Sequence, residues 1–134
     1  MAWTHIAEAA FIGGCITSLT DWLFAGDWLK TFYNKHPEVW RFVAGKGEGV
    51  AIAWSSPMPF LTCAVFACLY SKLGLHTTSG ALKLAAALWV MIPLPLIVTN
   101  ALFIKLHPVV TVSHTAGWLV KLIVAGVVAA WFLG

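Results

Sequence analysis

Apolar residues run along this chain in four long blocks, and polar residues fall between the blocks or as isolated points inside them. The clearest block is Leu84 to Ile104, LAAALWVMIPLPLIVTNALFI, uncharged and bracketed by Lys83 and Lys105. At ~1.5 Å per residue, a helix of that length crosses a hydrocarbon layer ~30 Å thick. The other blocks give spans at about 3–24, 48–70 and 109–133, with the third at 83–105. The pattern predicts an all-α integral membrane four-helix bundle, folded as a single transmembrane domain.

Inside the blocks the polar positions are patterned. In span one, Gly14, Thr17, Ser18 and Asp21 share a stripe at helical spacing that suits close helix contact, and Glu8 lies on another face. In span two, Glu48, Ser55 and Thr62 recur every seven residues on one face. Pro57 and Pro59 interrupt that helix, and Pro93 and Pro95 interrupt span three in the same way. Each proline removes a backbone donor and crowds the carbonyl one turn earlier. Freed carbonyls in lipid need partners from neighbouring helices or water, so these segments belong inside a bundle. Broken helices at membrane depth either border a ligand site or shape the bundle by tolerated kinks. In span four, His114, Trp118 and Lys121 share a stripe.

The joint between spans one and two, residues 25–47, is the long polar stretch. Asp27 is placed to cap a short helix with Trp28, Leu29, Phe32 and Tyr33 on its apolar side. His36-Pro37-Glu38 reads as a second helix start, carrying Trp40, Arg41, Phe42 and Val43 and stopping before Gly45. Two amphipathic interfacial helices fit this stretch, as does a folded loop capping the bundle. The glycine-rich run from Gly45 to Gly49 follows no strand and reads as a joint rather than a phosphate cradle.

Composition agrees with the membrane reading. The chain of 134 residues is 60% hydrophobic and 10% charged, where soluble domains are roughly a quarter charged. The net charge of +3 gathers mostly in one loop, so it marks a membrane side rather than a nucleic-acid surface. Joints 1–2 and 3–4 carry Lys30, Lys35, Arg41, Lys46 and Lys105, and the other side carries Lys72 and Lys83. By the positive-inside rule, both termini then face out. Trp3, Trp22, Trp28, Trp40 and Trp131 fall near expected span ends, where indoles favour the interface. Cys15, Cys63 and Cys68 form no CxxC pair and read as small core residues. The N-terminus lacks a basic leader region and carries Glu8, so the first span is expected to remain uncleaved.

Antiparallel threading brings Asp21, Ser55, Asn100 and His114 into the same third of the bilayer, with Thr99 and Thr111 beside them. Such residues are costly in a membrane and face its protein interior. Glu8 lies thirteen residues from Asp21, and Lys121 lies thirteen from Pro108. Each step is ~20 Å, which predicts a structural Glu8–Lys121 ion pair at a second level. Trp89 and Trp118 would wall the space between the levels. His114, Asn100 and the ion pair also have plain structural readings as satisfied interior groups. No metal or cofactor is expected: the five histidines are scattered, none in an i, i+4 pair, and no nucleophile elbow, P-loop or dinucleotide fingerprint occurs.

Several motifs of the second half are shared with one family. Gly80-Ala81-Leu82, Leu88-Trp89, Pro95, Thr99-Asn100 with Leu102-Phe103, Gly117-Trp118-Leu119-Val120 and Ala129-Ala130-Trp131 make residues Ser79 to Gly134 resemble domain of unknown function 1761. That family comprises small bacterial four-helix integral membrane proteins. Phe24 and Trp28 match a further Phe-x3-Trp feature, whereas Ser18 and Leu19 stand where the family often has an aromatic pair. The resemblance implies the four-helix membrane fold and a bacterial cytoplasmic membrane, and it implies no activity.

The leading functional expectation is an intramembrane polar pocket that binds or transforms a small hydrophobic or lipidic molecule. Asp21 and His114 are the candidate catalytic acid or base and its partner. Ser55, Asn100, Trp89 and Trp118 are the candidate ligand contacts. Expected partners are membrane lipids and that ligand, with no nucleic acid. Two alternatives belong to other classes: a non-catalytic subunit of a larger membrane complex or homo-oligomer, and proton-coupled transport.

Overall fold

The structure, a computed structural model, describes residues 2–39, 41–42 and 46–134. The described chain is helical, and four helical stretches are long and apolar enough to cross a membrane: Trp3–Lys35, Glu48–Lys72, Thr78–Phe103 and Pro108–Leu133. The first contains α1 (Ala2–Asp21), a π-helical segment (Trp22–Asp27) and α2 (Trp28–Lys35). The second is α3 (Glu48–Ser55) and α4 (Met58–Lys72), split at Pro57. The third is α5 (Thr78–Met91) and α6 (Pro93–Phe103), split at Ile92. The fourth, α7 (Pro108–Leu133), is unbroken over 26 residues.

The connections follow local chemistry. After α4, Gly74 adopts φ +63° and the chain closes a Schellman motif, with Leu75 N–H donating to Tyr70 O at 3.2 Å and Gly74 N–H to Ser71 O at 3.1 Å. Thr77 caps α5 by accepting from Gly80 N–H at 3.1 Å. His107 Nδ1 caps α7 by accepting from Val109 N–H at 3.2 Å, and Pro108 fills the first helical position.

The interior is built mostly from small residues and the exterior from large ones. Ala9, Ala67, Ala81, Ala85, Ala125 and Ala129 are buried, while Trp54, Leu102, Phe103 and Trp131 are exposed. Lipid tails supply no hydrophobic drive between helices, so close backbone approach holds such a bundle instead. A Cβ on Gly14 would run into the ring of Phe60, and one on Gly126 would sit 3.2 Å from Ala81 O. α7 packs against α1, α4, α5 and α6 and forms the axis, while α1 and α4 also pack on each other.

The first two stretches break at one level. Gly13 of α1 lies against Cys63 and Val128, and Phe24 lies against Gly117, so α1 and α7 run antiparallel in a fixed register. Asp21 and, by the packing of Gly13 and Gly14 on Cys63 and Phe60, the Ser56-Pro57 joint then lie near the middle of α7, while Trp89 bonded to Thr115 O puts the Ile92-Pro93 joint nearer the start of α7. Beyond that level α1, α4, α5 and the second half of α7 enclose the core, where Phe66 and Tyr70 are almost wholly buried. On the other side the halves separate, and Gly49 to Ser55 of α3 are all exposed.

The joint 1–2 differs from the sequence reading. Asp27 does not cap a new helix. It has helical φ and ψ, makes no side-chain cap, and the first helix passes through it to Lys35. Pro37 to Val39 is a turn, closed by Val39 N–H donating to His36 O at 3.0 Å, rather than the start of a second helix. Trp40, Val43 and Gly45, expected on or beside that helix, lie outside the described residues. The break at Pro57 also divides the expected face of Glu48, Ser55 and Thr62 between two helices.

Candidate functional site

Where the halves separate, they enclose a cavity of about 1160 Å³. Its walls come from the π segment and α2, from α3 and the start of α4, and from the first half of α7. It extends from Tyr33, Asn34 and Glu48 at the interfacial end down to Asp21 and Lys121.

The floor of this cavity is an ion pair. Lys121 Nζ lies 2.7 Å from Asp21 Oδ2, with side-chain exposures of 9% and 32% respectively. The same ammonium sits 4.3 Å from the centre of the Trp118 ring, a cation–π contact. Lys121 is therefore held by both contacts, and Asp21 keeps acceptor capacity toward the cavity, since a carboxylate can accept several hydrogen bonds.

Asp21 closes α1, and the π segment begins directly after it. One extra residue per turn rotates the chain after Asp21 and frees carbonyls of the normal ladder. One of them, Phe24 O, accepts a 2.7 Å hydrogen bond from the buried Ser113 Oγ on α7. Gly117, one turn further along α7, lets Phe24 approach to 3.3 Å of where a Cβ would stand. Trp22 and Phe24 line the cavity as a result.

The expected Glu8–Lys121 pair does not form. Glu8 bonds instead to His5 Nδ1 at 2.9 Å, on the exposed face of its own helix. The reason is register: Asp21 does not end its span, because the helix continues to Lys35. Gly13 opposite Val128 puts Glu8, five residues earlier, level with the C-terminal end of α7. Lys121 lies thirteen residues after Pro108 and twelve before Leu133, so it meets Asp21 at mid-bundle. Trp22, expected at an interface, lies at this same middle level.

Of the other expected site residues, Ser55, His114 and Trp118 line the cavity with Asp21. His114 is exposed into it. Ser55 Oγ donates to Ile52 O at 3.0 Å, one turn back in α3. Asn100 and Thr99 sit on α6, which does not line the cavity. Thr111 is bonded to His107 O at 3.3 Å, and Trp89 Nε1 donates to Thr115 O at 2.9 Å. Trp89 thus ties α5 to α7 rather than walling the pocket. The small-residue stripe of α1 is used for packing: Thr17 Oγ1 donates to Gly13 O at 2.8 Å and contacts Cys63 Sγ at 3.6 Å.

Sequence reasoning missed Phe60, Trp22 and Phe24 as cavity walls. The spacing Ser113-x3-Gly117-x3-Lys121 was the available signal, since it draws one stripe of a hydroxyl, a gap and a charge along α7. No protein-family model, curated protein or solved structure matches the chain.

Proposed function

We propose that the cavity is a binding site for a small amphiphilic or lipidic molecule, reached from the end of the bundle that carries α2 and the start of α3. The observation that carries this reading is the ion pair at the floor of a large aromatic-walled hollow. Asp21 keeps acceptor capacity there, so a head group that donates hydrogen bonds, a hydroxyl or an amine, suits it. Lys121 positions Asp21, and His114 offers a second polar contact. Trp22, Phe24, Phe60 and Trp118 supply apolar walls. The excess of Lys and Arg in joints 1–2 and 3–4 supports the reading that this end is cytoplasmic, with both termini outside. The resemblance to the bacterial four-helix family bears on the axis of the site, since its Gly-Trp motif is Gly117-Trp118, which packs Phe24 and walls the cavity.

Native mass spectrometry of the purified protein tests the reading. One small molecule per chain is expected to co-purify, and Ser55→Trp, which fills the cavity from exposed α3, is expected to remove it. A wild-type protein free of small molecules, or a bound molecule indifferent to Ser55→Trp, overturns the proposal.

A second reading rests on α3, whose residues Gly49 to Ser55 are exposed. A subunit role in a homo-oligomer or larger complex would cover that helix. A monomer by light scattering in nanodiscs, together with the absence of co-purifying polypeptides, would exclude it.

A further inference from the structure

Trp118 has a second side. Behind it lies a groove of about 380 Å³ between α4 and the α5–α6 arm, floored by α7. Leu61, Val65, Leu69 and Leu96 are among its walls, and its hydroxyl side chain, Thr62, already donates to Met58 O at 3.0 Å. Hydrocarbon is the chemistry that such a surface accepts.

The groove and the cavity lie back to back. Consecutive residues divide between them: Phe60 lines the cavity and Leu61 the groove, Lys121 the cavity and Leu122 the groove. Trp118 lines both. The indole is half-buried, and Lys121 holds it through the contact over its ring. A hollow with an ion pair at its floor and an apolar groove thus share a single aromatic side chain, and that side chain touches the charge at the cavity floor.

We infer that the two hollows serve one ligand, a single-chain amphiphile. Its donor head rests on Asp21 and His114, and its hydrocarbon chain passes Trp118 into the groove. This inference rests on the cavity being a ligand site, as proposed above. The groove follows α4 from Leu61 to Leu69, eight residues or ~12 Å of helix, which favours one extended chain over a branched pair. A membrane already solvates hydrocarbon, so the groove selects among chains more than it adds affinity. Selection by chain length is the signature of this arrangement.

The test uses 1-monoacylglycerols, from octanoyl to palmitoyl, in competition for the purified protein by native mass spectrometry. Their hydroxyl heads are donors and their chains vary alone. The wild type is expected to prefer one chain length over the octanoyl probe by about tenfold, a difference of 1.4 kcal/mol. Val65→Trp, which fills the groove from a wall outside the cavity, is expected to bring the ratio near one while octanoyl binding persists. Leu96→Trp fills the groove from the opposite wall and serves as the second variant. Unchanged length preference in both folded variants overturns the groove assignment and leaves the cavity reading standing. Failure of every probe to bind the wild type overturns the choice of ligand class. Octanoyl binding lost in Ser55→Trp but kept in Val65→Trp supports both assignments.

Discussion

Asp21 and Lys121 are unequal partners, and their inequality has a measurable consequence. Lys121 is 9% exposed and Asp21 is 32% exposed, toward the cavity. Asp21→Asn leaves a buried ammonium without its counter-charge, a change that typically costs about 3–5 kcal/mol. Lys121→Met leaves a carboxylate that cavity water can solvate, at about 1–3 kcal/mol. The double variant is expected to recover most of either loss, because no uncompensated charge remains. Unfolding of the four proteins in one mild detergent checks the cycle, and equal single-variant losses would refute the asymmetry. The pair therefore also complicates any reading of Asp21→Asn as a purely functional change. At the surface, Glu38 is held below the usual carboxylate range, first by a backbone hydrogen bond and then by His36, whose Nδ1 lies 3.1 Å away. A depressed carboxylate contributes order above its unfolded pKa and loses it as pH falls through the folded value. The Glu38 carboxyl is thus expected to titrate low by NMR, and His36→Ala to raise its midpoint only part of the way.

The elements of this protein are joined by small residues and by one unusual hydrogen bond. Ser113→Ala removes the donor to Phe24 O and leaves a carbonyl of the π segment unsatisfied. The expected loss is about 1–3 kcal/mol, read as a lower unfolding midpoint. The same variant is expected to weaken ligand retention, since the π segment carries Trp22 and Phe24 into the cavity. Gly14→Leu is expected to be worse for the fold, because its side chain would need the space of the Phe60 ring. Overpacking of this kind costs about 1–3 kcal/mol or more, and here it would separate α1 from α4. Normal unfolding of Gly14→Leu would show that the two helices have room to move apart freely.

The whole molecule divides into an enclosed half and an open half at the level of the ion pair. In the enclosed half, α1, α4, α5 and α7 pack through alanine and glycine; in the open half, α3 splays away from the axis while α6 stays packed on α7. Few packed contacts and an exposed face lower the free energy of local opening. In nanodiscs, α3 is therefore expected to exchange its amides at least about tenfold faster than α4. Comparable rates would mean that the joint at Pro57 does not separate two units. A bound amphiphile would join the walls of the open half and is expected to slow exchange in α3 and in the π segment together.

The first helix runs to Lys35, eleven residues past its expected end at 24, but the number of spans, the proline joints and most span limits were legible in the linear pattern. They depend on helix length against membrane thickness and on backbone donors that proline lacks, both of which are local properties. Membership of the pocket was half legible. Asp21, Ser55, His114 and Trp118 share it because their order along antiparallel helices sets their depth. What the chain could not show was which charges meet. The reading of Glu8 opposite Lys121 assumed that span one ends at Asp21, and a π segment has no residue signature that would have warned otherwise. That register belongs to α1 against α7 and was decided by the fit of Gly13, Phe24 and Gly117 between the two helices. Asn100 and Trp89 show the same limit, since the angle at Ile92 turns α6 away from the cavity and only packing fixes that angle. Depth along a helix follows from counting residues; rotation and partnership follow from which side chains leave room for one another.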